Sequence, residues 1–188
     1  MKKLLLAAAL AVAASVPSHA DTYAVDPVHS FFQFKVGHFG IGNVYGRFND
    51  VSGKVVYDAA APANDLFNIE VKTASVDTHS EARDKHLRSP DFFNVQQFPT
   101  ATFTTKSVAA TDPKNLQVPG DFTLNGVTKT LTVPVTFIGA GKGPQGESRI
   151  GGEARFTILR SDYGIKTFLP AITDEVELTI AIEGVLQP

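Results

Sequence analysis

Among its 188 residues the chain has no cysteine, no tryptophan and one methionine. Without cysteine there is no disulfide framework, no thiolate zinc site, no iron–sulfur cluster and no thiol nucleophile. A basic run is missing too. Lys plus Arg number 17 against 19 Asp plus Glu, a net charge of −2, and that balance excludes electrostatic capture of nucleic acid or of an anionic membrane. Charged residues are only 19% of the chain and apolar ones 43%, a globular composition rather than a disordered one. At ~100–200 residues per domain the length fits one domain.

The catalytic and ligand motifs are equally sparse. The chain has no Gly-x-Ser-x-Gly elbow and no His-x-His. Gly139-Ala-Gly-Lys-Gly-Pro lacks the Gly-Lys-Ser/Thr of a phosphate loop. His29 and His38 fall on opposite faces of an extended strand, and His79 and His86 are seven apart rather than four. No metal site and no cofactor are expected from this spacing.

What is present begins with an address. Met1-Lys2-Lys3 is a positive start, Leu4 to Val16 is apolar without charge, and Ser18-His19-Ala20 sets small residues ahead of a cleavage point. The apolar run is shorter than the ~20 residues of a membrane span. Residues 1–20 therefore read as a cleaved signal peptide and 21–188 as a single domain, with the periplasm as expected location. Removal of Lys2 and Lys3 leaves 15 basic residues against 19 acidic ones, a net charge of −4.

The body alternates with period two. Phe32, Phe34 and Val36 alternate with Gln33 and Lys35, and Phe67, Ile69 and Val71 with Asn68 and Glu70. Ala101 and Phe103, then Leu131, Val133, Val135 and Phe137, then Val176, Leu178, Ile180 and Ile182 repeat the pattern. Each strand has one apolar and one wet face, as antiparallel sheets do. Further strands are expected near Asn43–Phe48, Lys54–Tyr57, Asn115–Val118 and Ala154–Leu159. Asn125-Gly126 marks a tight hairpin, Pro134 an edge or bulge, and Gly139–Gly152 a long mobile loop. One helix is expected, Ser80 to Arg88, with Thr78 and Glu81 as a capping box, Glu81–Lys85 and Asp84–Arg88 as ion pairs, and Ser89-Pro90 as its end. About eight antiparallel strands remove their edges by closing into a barrel, whose interior is either filled or holds one small ligand. His38 shares the parity of Phe32 and so points inward. Asp84 and His86 could form an acid–base pair, although a solvated helix face is the plainer reading.

Taken together, several strings carry a family likeness. They are Asp26-Pro-Val-His-Ser-Phe-Phe-Gln-Phe-Lys-Val-Gly-His-Phe-Gly, Val44-Tyr-Gly-Arg-Phe, Ser75-Val-Asp-Thr and Arg83-Asp-Lys-His-Leu-Arg-Ser-Pro-Asp-Phe-Phe. Phe98-Pro-Thr-Ala-Thr-Phe, Gly120-Asp-Phe-Thr-Leu-Asn-Gly-Val-Thr-Lys and Arg160-Ser-Asp-Tyr-Gly-Ile follow. The chain closely resembles the YceI-like polyisoprenoid-binding proteins over essentially all of residues 21–188. The resemblance implies an all-β, extended lipocalin-like antiparallel barrel whose apolar tunnel holds a long isoprenoid or similar lipid, such as a polyprenyl phosphate, quinone or fatty amphiphile. It also implies a carrier with a link to stress or respiratory components, in some relatives a homodimer. The candidate tunnel residues are Phe32, Phe34, Val36, His38, Phe67, Phe92, Phe93, Phe103 and Phe122, with Arg83, Asp84 and His86 near the head group. The alternative is an enzyme acting on a lipid or quinone, with Arg83 as anion clamp and Asp84 and His86 as acid and base.

Overall fold

The structure, a computed structural model, describes residues 20–188 except 111 and 113. The expected leader, apart from Ala20, lies outside the described residues. Twelve strands form one antiparallel sheet. They are β1 (Asp21–Val25), β2 (Phe31–His38), β3 (Gly42–Phe48), β4 (Val51–Tyr57), β5 (Leu66–Lys72) and β6 (Val76–Asp77). After the helix α1 (Glu81–Leu87) come β7 (Thr100–Thr105), β8 (Ala109–Ala110), β9 (Asn115–Leu124), β10 (Val127–Lys142), β11 (Ser148–Leu159) and β12 (Ile172–Leu186).

The ladder runs β1-β4-β5-β7-β9-β10-β11-β12 and closes on itself because β1 also pairs β12. That closure makes an eight-stranded barrel with no free edge in the ring. The remaining strands extend it. β12 pairs β2 through Ile172–Ala181 and β1 through Gly184–Leu186, so β1 and β2 share one position in the ring. β3 and β4 share the next, since β3 pairs β2 while β4 pairs β1. At this end β6 adds to β3, but β7 begins only opposite Lys72. The gap left beyond β7 is where α1 and the segment 88–99 lie against the barrel.

Alternation makes the lumen. Phe32, Phe48, Val71, Phe122, Ile158 and Leu178 are buried in one cluster, with Phe34, Phe92, Phe93 and Phe103 packed against it. Two inward glycines give space to rings. A Cβ on Gly46 would lie 2.2 Å from Phe34 Cζ, and one on Gly120 would lie 2.4 Å from Phe103 Cζ. Asn125 and Gly126 both have positive φ, 50° and 74°. This is the two-residue turn whose twist matches a hairpin, and Leu124 duly pairs Val127. Pro134 sits where the β10–β11 ladder, which starts at Val135, has not yet formed. With β9 as its only ladder partner there, β10 is locally an edge and the missing N–H costs nothing.

Three expectations need correction. Gly139–Gly152 is ladder, not a long loop: Gly139 pairs Gly151, Gly141 pairs Arg149 and Lys142 pairs Ser148, after a bulge at Phe137/Gly139. Backbone hydrogen bonds need no side chain, so glycine there changes the twist and leaves the pairing intact. The helix cap is Ser80, whose Oγ accepts from Arg83 N, not Thr78. His79 takes φ 59° and turns Thr78 out of the helix, where its hydroxyl donates to Asp84. The Asp84–Arg88 ion pair is replaced by these bonds, because Arg88 donates to the carbonyls of Ala74 and Val76.

Candidate functional site

The barrel encloses two chambers. The larger, about 290 Å³, lies at the α1 end and the smaller, about 100 Å³, at the other. Both are lined by Phe32, Val71, Ala101 and Phe122, which form the waist between them. Phe34, Val36, His38, Val44 and Phe48 come to the larger chamber from β2 and β3, and Val176 and Leu178 from β12. Leu87, Phe92 and Phe93 close it from α1 and the turn that follows. The smaller chamber is walled by Val55 and Tyr57 of β4, Phe67 and Ile69 of β5, Phe103 of β7, Val133, Val135 and Phe137 of β10, and Phe156 of β11. The Tyr57 and Phe137 rings stack at 5.0 Å near its end. Phe39 and Phe168 line the larger chamber and are 59% and 57% exposed, so the chamber opens to solvent between them.

All nine candidate tunnel residues face one chamber or the other. Phe67 and Phe103 lie at the smaller chamber, Phe32 and Phe122 at both, and Phe34, Val36, His38, Phe92 and Phe93 at the larger. Arg83 and His86 also reach the larger chamber, and Asp84 reaches neither. Asp84 is buried, and its Oδ1 accepts from Thr78 N at 2.9 Å and Thr78 Oγ1 at 2.6 Å. Thr78 in turn accepts from Arg83 through Oγ1 and its carbonyl, both at 2.7 Å. Asp84 thus holds Thr78, and Thr78 holds the guanidinium at the chamber wall. His86 Nε2 lies 2.9 Å from Asp91 Oδ2, with its ring edge-on to Phe92 and Phe168. Asp84 and His86 are therefore partnered separately, and the structure does not assemble them as an acid–base pair.

Several lining residues carried no site signal in the sequence. Arg160 is 5% exposed, lines the larger chamber and donates to four carbonyls, those of Ile165, Thr167, Ile172 and Thr173. Burial lowers its pKa and the nearby Asp174 opposes that shift. These bonds tie the segment 165–173 across the mouth. Asp65 lines the smaller chamber, 1% exposed; its Oδ1 accepts from Asp58 N and its Oδ2 has no protein partner. Burial pushes this carboxyl up to about 6, and the Asp58 charge adds to the rise.

Among the described residues, one group could hold a cation. Asp26, His29 and Glu183 bring ligand atoms within 4.8 Å of one another. Arg149 already occupies it, bonding Asp26 Oδ2 at 2.8 Å and also Glu183. His29 and Arg149 hold the Asp26 carboxyl well below the usual carboxylate range.

The barrel has known counterparts. Residues 23–184 match the model of the YceI-like domain. The chain is 44% identical over 192 residues to Protein YceI of Escherichia coli O17:K52:H18, with all of both chains covered. A solved YCEI protein of Campylobacter jejuni superposes with a TM-score of 0.73 at 32% identity, covering 81% of this chain and 90% of that one. A polyisoprenoid binding domain from Saccharophagus degradans, implicated in plant cell wall breakdown, superposes with a TM-score of 0.71 at 17% identity, covering 88% and 98%. At that identity the last likeness concerns the fold.

Proposed function

The chain belongs to the YceI-like family, and we propose that it is a binding protein that holds one long apolar chain, of isoprenoid or similar lipid type, in its lumen. The observation that carries this reading is the waist. Two apolar chambers that share Phe32, Val71, Ala101 and Phe122 form a path suited to a chain rather than to a compact guest. The Saccharophagus domain, named for binding a polyisoprenoid, points the same way.

The energetics are sufficient without a specific polar contact. Each methylene removed from water contributes about 0.8 kcal/mol, so ten offer roughly 8 kcal/mol before ordering costs. That corresponds to micromolar binding. Polar groups occur where the chamber opens. There Arg83, with two of its five N–H donors taken by Thr78, and His86 meet the head group, while Asp84 positions Arg83. An anionic head such as a phosphate or carboxylate suits this guanidinium. The role is binding and carriage without chemistry, with no bound cofactor, in the periplasm after removal of residues 1–20.

The test is direct. Protein recovered from the periplasmic fraction is weighed intact and extracted with organic solvent, and the extract is analysed by mass spectrometry. A chain beginning at Asp21 that carries one lipid per protein is the expected result. Loss of that lipid to product during incubation would instead show turnover, and an extract without lipid would refute the reading.

A further inference from the structure

We propose that the β2–β3 hairpin tip docks the protein on a phospholipid bilayer, with Phe39 and Ile41 entering the apolar layer beside Phe168. The proposal rests on the reading of the lumen as a lipid site, because it places the chamber mouth against the phase where such a cargo resides.

Three observations carry it. First, Ile41 is 87% exposed, Phe39 59% and Phe168 57%, and they are neighbours: Phe39 N donates to Ala171 O, in the segment that carries Phe168. Isolated exposed apolar residues are ordinary, but a group of them around the opening of an apolar cavity marks an interaction site. Second, the tip is built against turn preference. Phe39 has φ 52° and Gly40 φ 70°, a left-handed region where Asn, Asp or Gly is usual and a bulky residue is strained. A strained aromatic more than half exposed at a hairpin tip contributes little to folding.

Third, the polarity is layered along the hairpin. Val36 to Gly46 contains no Asp, Glu, Lys or Arg. Tyr45, 64% exposed, pairs Lys35, and Arg47 pairs Gln33 one step further from the tip. Aliphatic and phenyl groups at the tip, a phenol behind them and cations at the base match the order of hydrocarbon, interface and head group in a bilayer. The attraction is apolar burial rather than net charge, which agrees with the acidic balance of the chain. A neutral phosphatidylcholine surface is enough.

Since the chain has no tryptophan, an Ile41→Trp variant carries a single emission reporter at the tip. Val28→Trp is the control: Val28 is 76% exposed but precedes β2, whose eight residues span about 26 Å at ~3.3 Å each. Titration with phosphatidylcholine vesicles should shift Ile41→Trp emission to the blue and leave Val28→Trp unchanged. Ile41→Asp should reduce co-sedimentation with these vesicles roughly tenfold to a hundredfold. Ile41 lines neither chamber, so lipid loaded in detergent solution should be retained by Ile41→Asp at the wild-type ratio. Equal shifts in both reporter variants, or no shift in Ile41→Trp, would overturn the proposal. So would a blue shift that follows protein concentration without vesicles, since the tip would then cover a second copy. Cargo without docking defeats this proposal alone; docking without cargo upholds it and defeats the lipid-binding reading.

Discussion

Enlarging Ala101 to phenylalanine should shorten the chain that the barrel accepts. Ala101 is 6% exposed and lines both chambers at the waist, on the β5–β7–β9 wall with Val71 and Phe122 on the neighbouring strands. If the ligand chain runs through this waist, as proposed, a ring there should bar it from the smaller chamber, whose volume is about 100 Å³. At the ~30 Å³ share of a water-sized group this is room for about three methylenes. At about 0.8 kcal/mol each they contribute roughly 2.4 kcal/mol, or about fifty-fold in affinity. The assay is competition with a homologous series of n-alkyl amphiphiles of one head group. In the unmodified protein the dissociation constant should fall about fourfold per added methylene until both chambers are filled. In Ala101→Phe the decline should stop about three methylenes sooner, with short-chain affinity unchanged. Overpacking costs typically ~1–3 kcal/mol of stability, so thermal unfolding is measured alongside, and Ala101→Leu serves if the phenylalanine is not tolerated. A break at the same chain length in both proteins would refute the waist as the path.

Other perturbations separate wall from mouth. Phe34→Asp sets a carboxylate in the larger chamber and should empty it of lipid, as read by mass spectrometry on folded, monodisperse protein, whereas Arg83→Ala should keep the lipid and lose about 1.5–3 kcal/mol of preference for anionic heads; the opposite outcome would show that the head group governs binding. Asp65 has its carboxyl raised from 3.8 to about 6, so the folded state holds a proton that the unfolded chain has released, and its contribution is lost as pH rises through that window. The stability of the unmodified protein relative to Asp65→Asn should therefore fall between pH 4 and 6, measured by denaturant unfolding; a flat difference would contradict the shift. Chelator should leave the melting temperature unchanged, because Arg149 neutralises the Asp26–His29–Glu183 group; a drop of several degrees would reveal a metal there.

Much of the barrel was legible because alternation is local. The parity that placed Phe32, Phe34, Val36 and His38 on one face held through the whole of β2, and all four reach the larger chamber. Asn125-Gly126 was legible for the same reason, a dipeptide that sets its own backbone. The shared positions of β1 with β2 and of β3 with β4 were not, since they depend on which stretch of β12 each strand meets, a pairing more than a hundred residues away. Asp84, expected near the head group, lines neither chamber, and its burial was not legible because a carboxylate on a short charged helix reads as solvated. The left-handed turn at His79 brings Thr78 to it and buries it. Arg160 opens the family-like run Arg160-Ser-Asp-Tyr-Gly-Ile, but its burial needs four carbonyls of the segment 165–173, and no local pattern announces them.

The distribution of polar groups along the lumen implies how the barrel selects. An apolar wall contributes in proportion to the area it covers, so it measures length and tolerates differences in chemistry along the chain. Discrimination by head group requires polar atoms held in place, because an adaptable side chain gives back in entropy what it gains in contact. Arg83 and Arg160 are the cations at the larger chamber, and each is fixed by neutral oxygens: Arg83 by Thr78, and Arg160 by backbone carbonyls. Neutral acceptors orient a guanidinium without cancelling its charge, whereas a carboxylate partner would do both. The two guanidinium groups at the open end are thus oriented by uncharged oxygens, with Asp174 near Arg160, and Asp65, whose buried Oδ2 has no protein partner, lies at the far end. On the proposed reading, a chain that is anionic at one terminus should enter tail first, pass the waist and stop with its head at Arg83, so amphiphiles with the charge at one end should outcompete those charged at both ends.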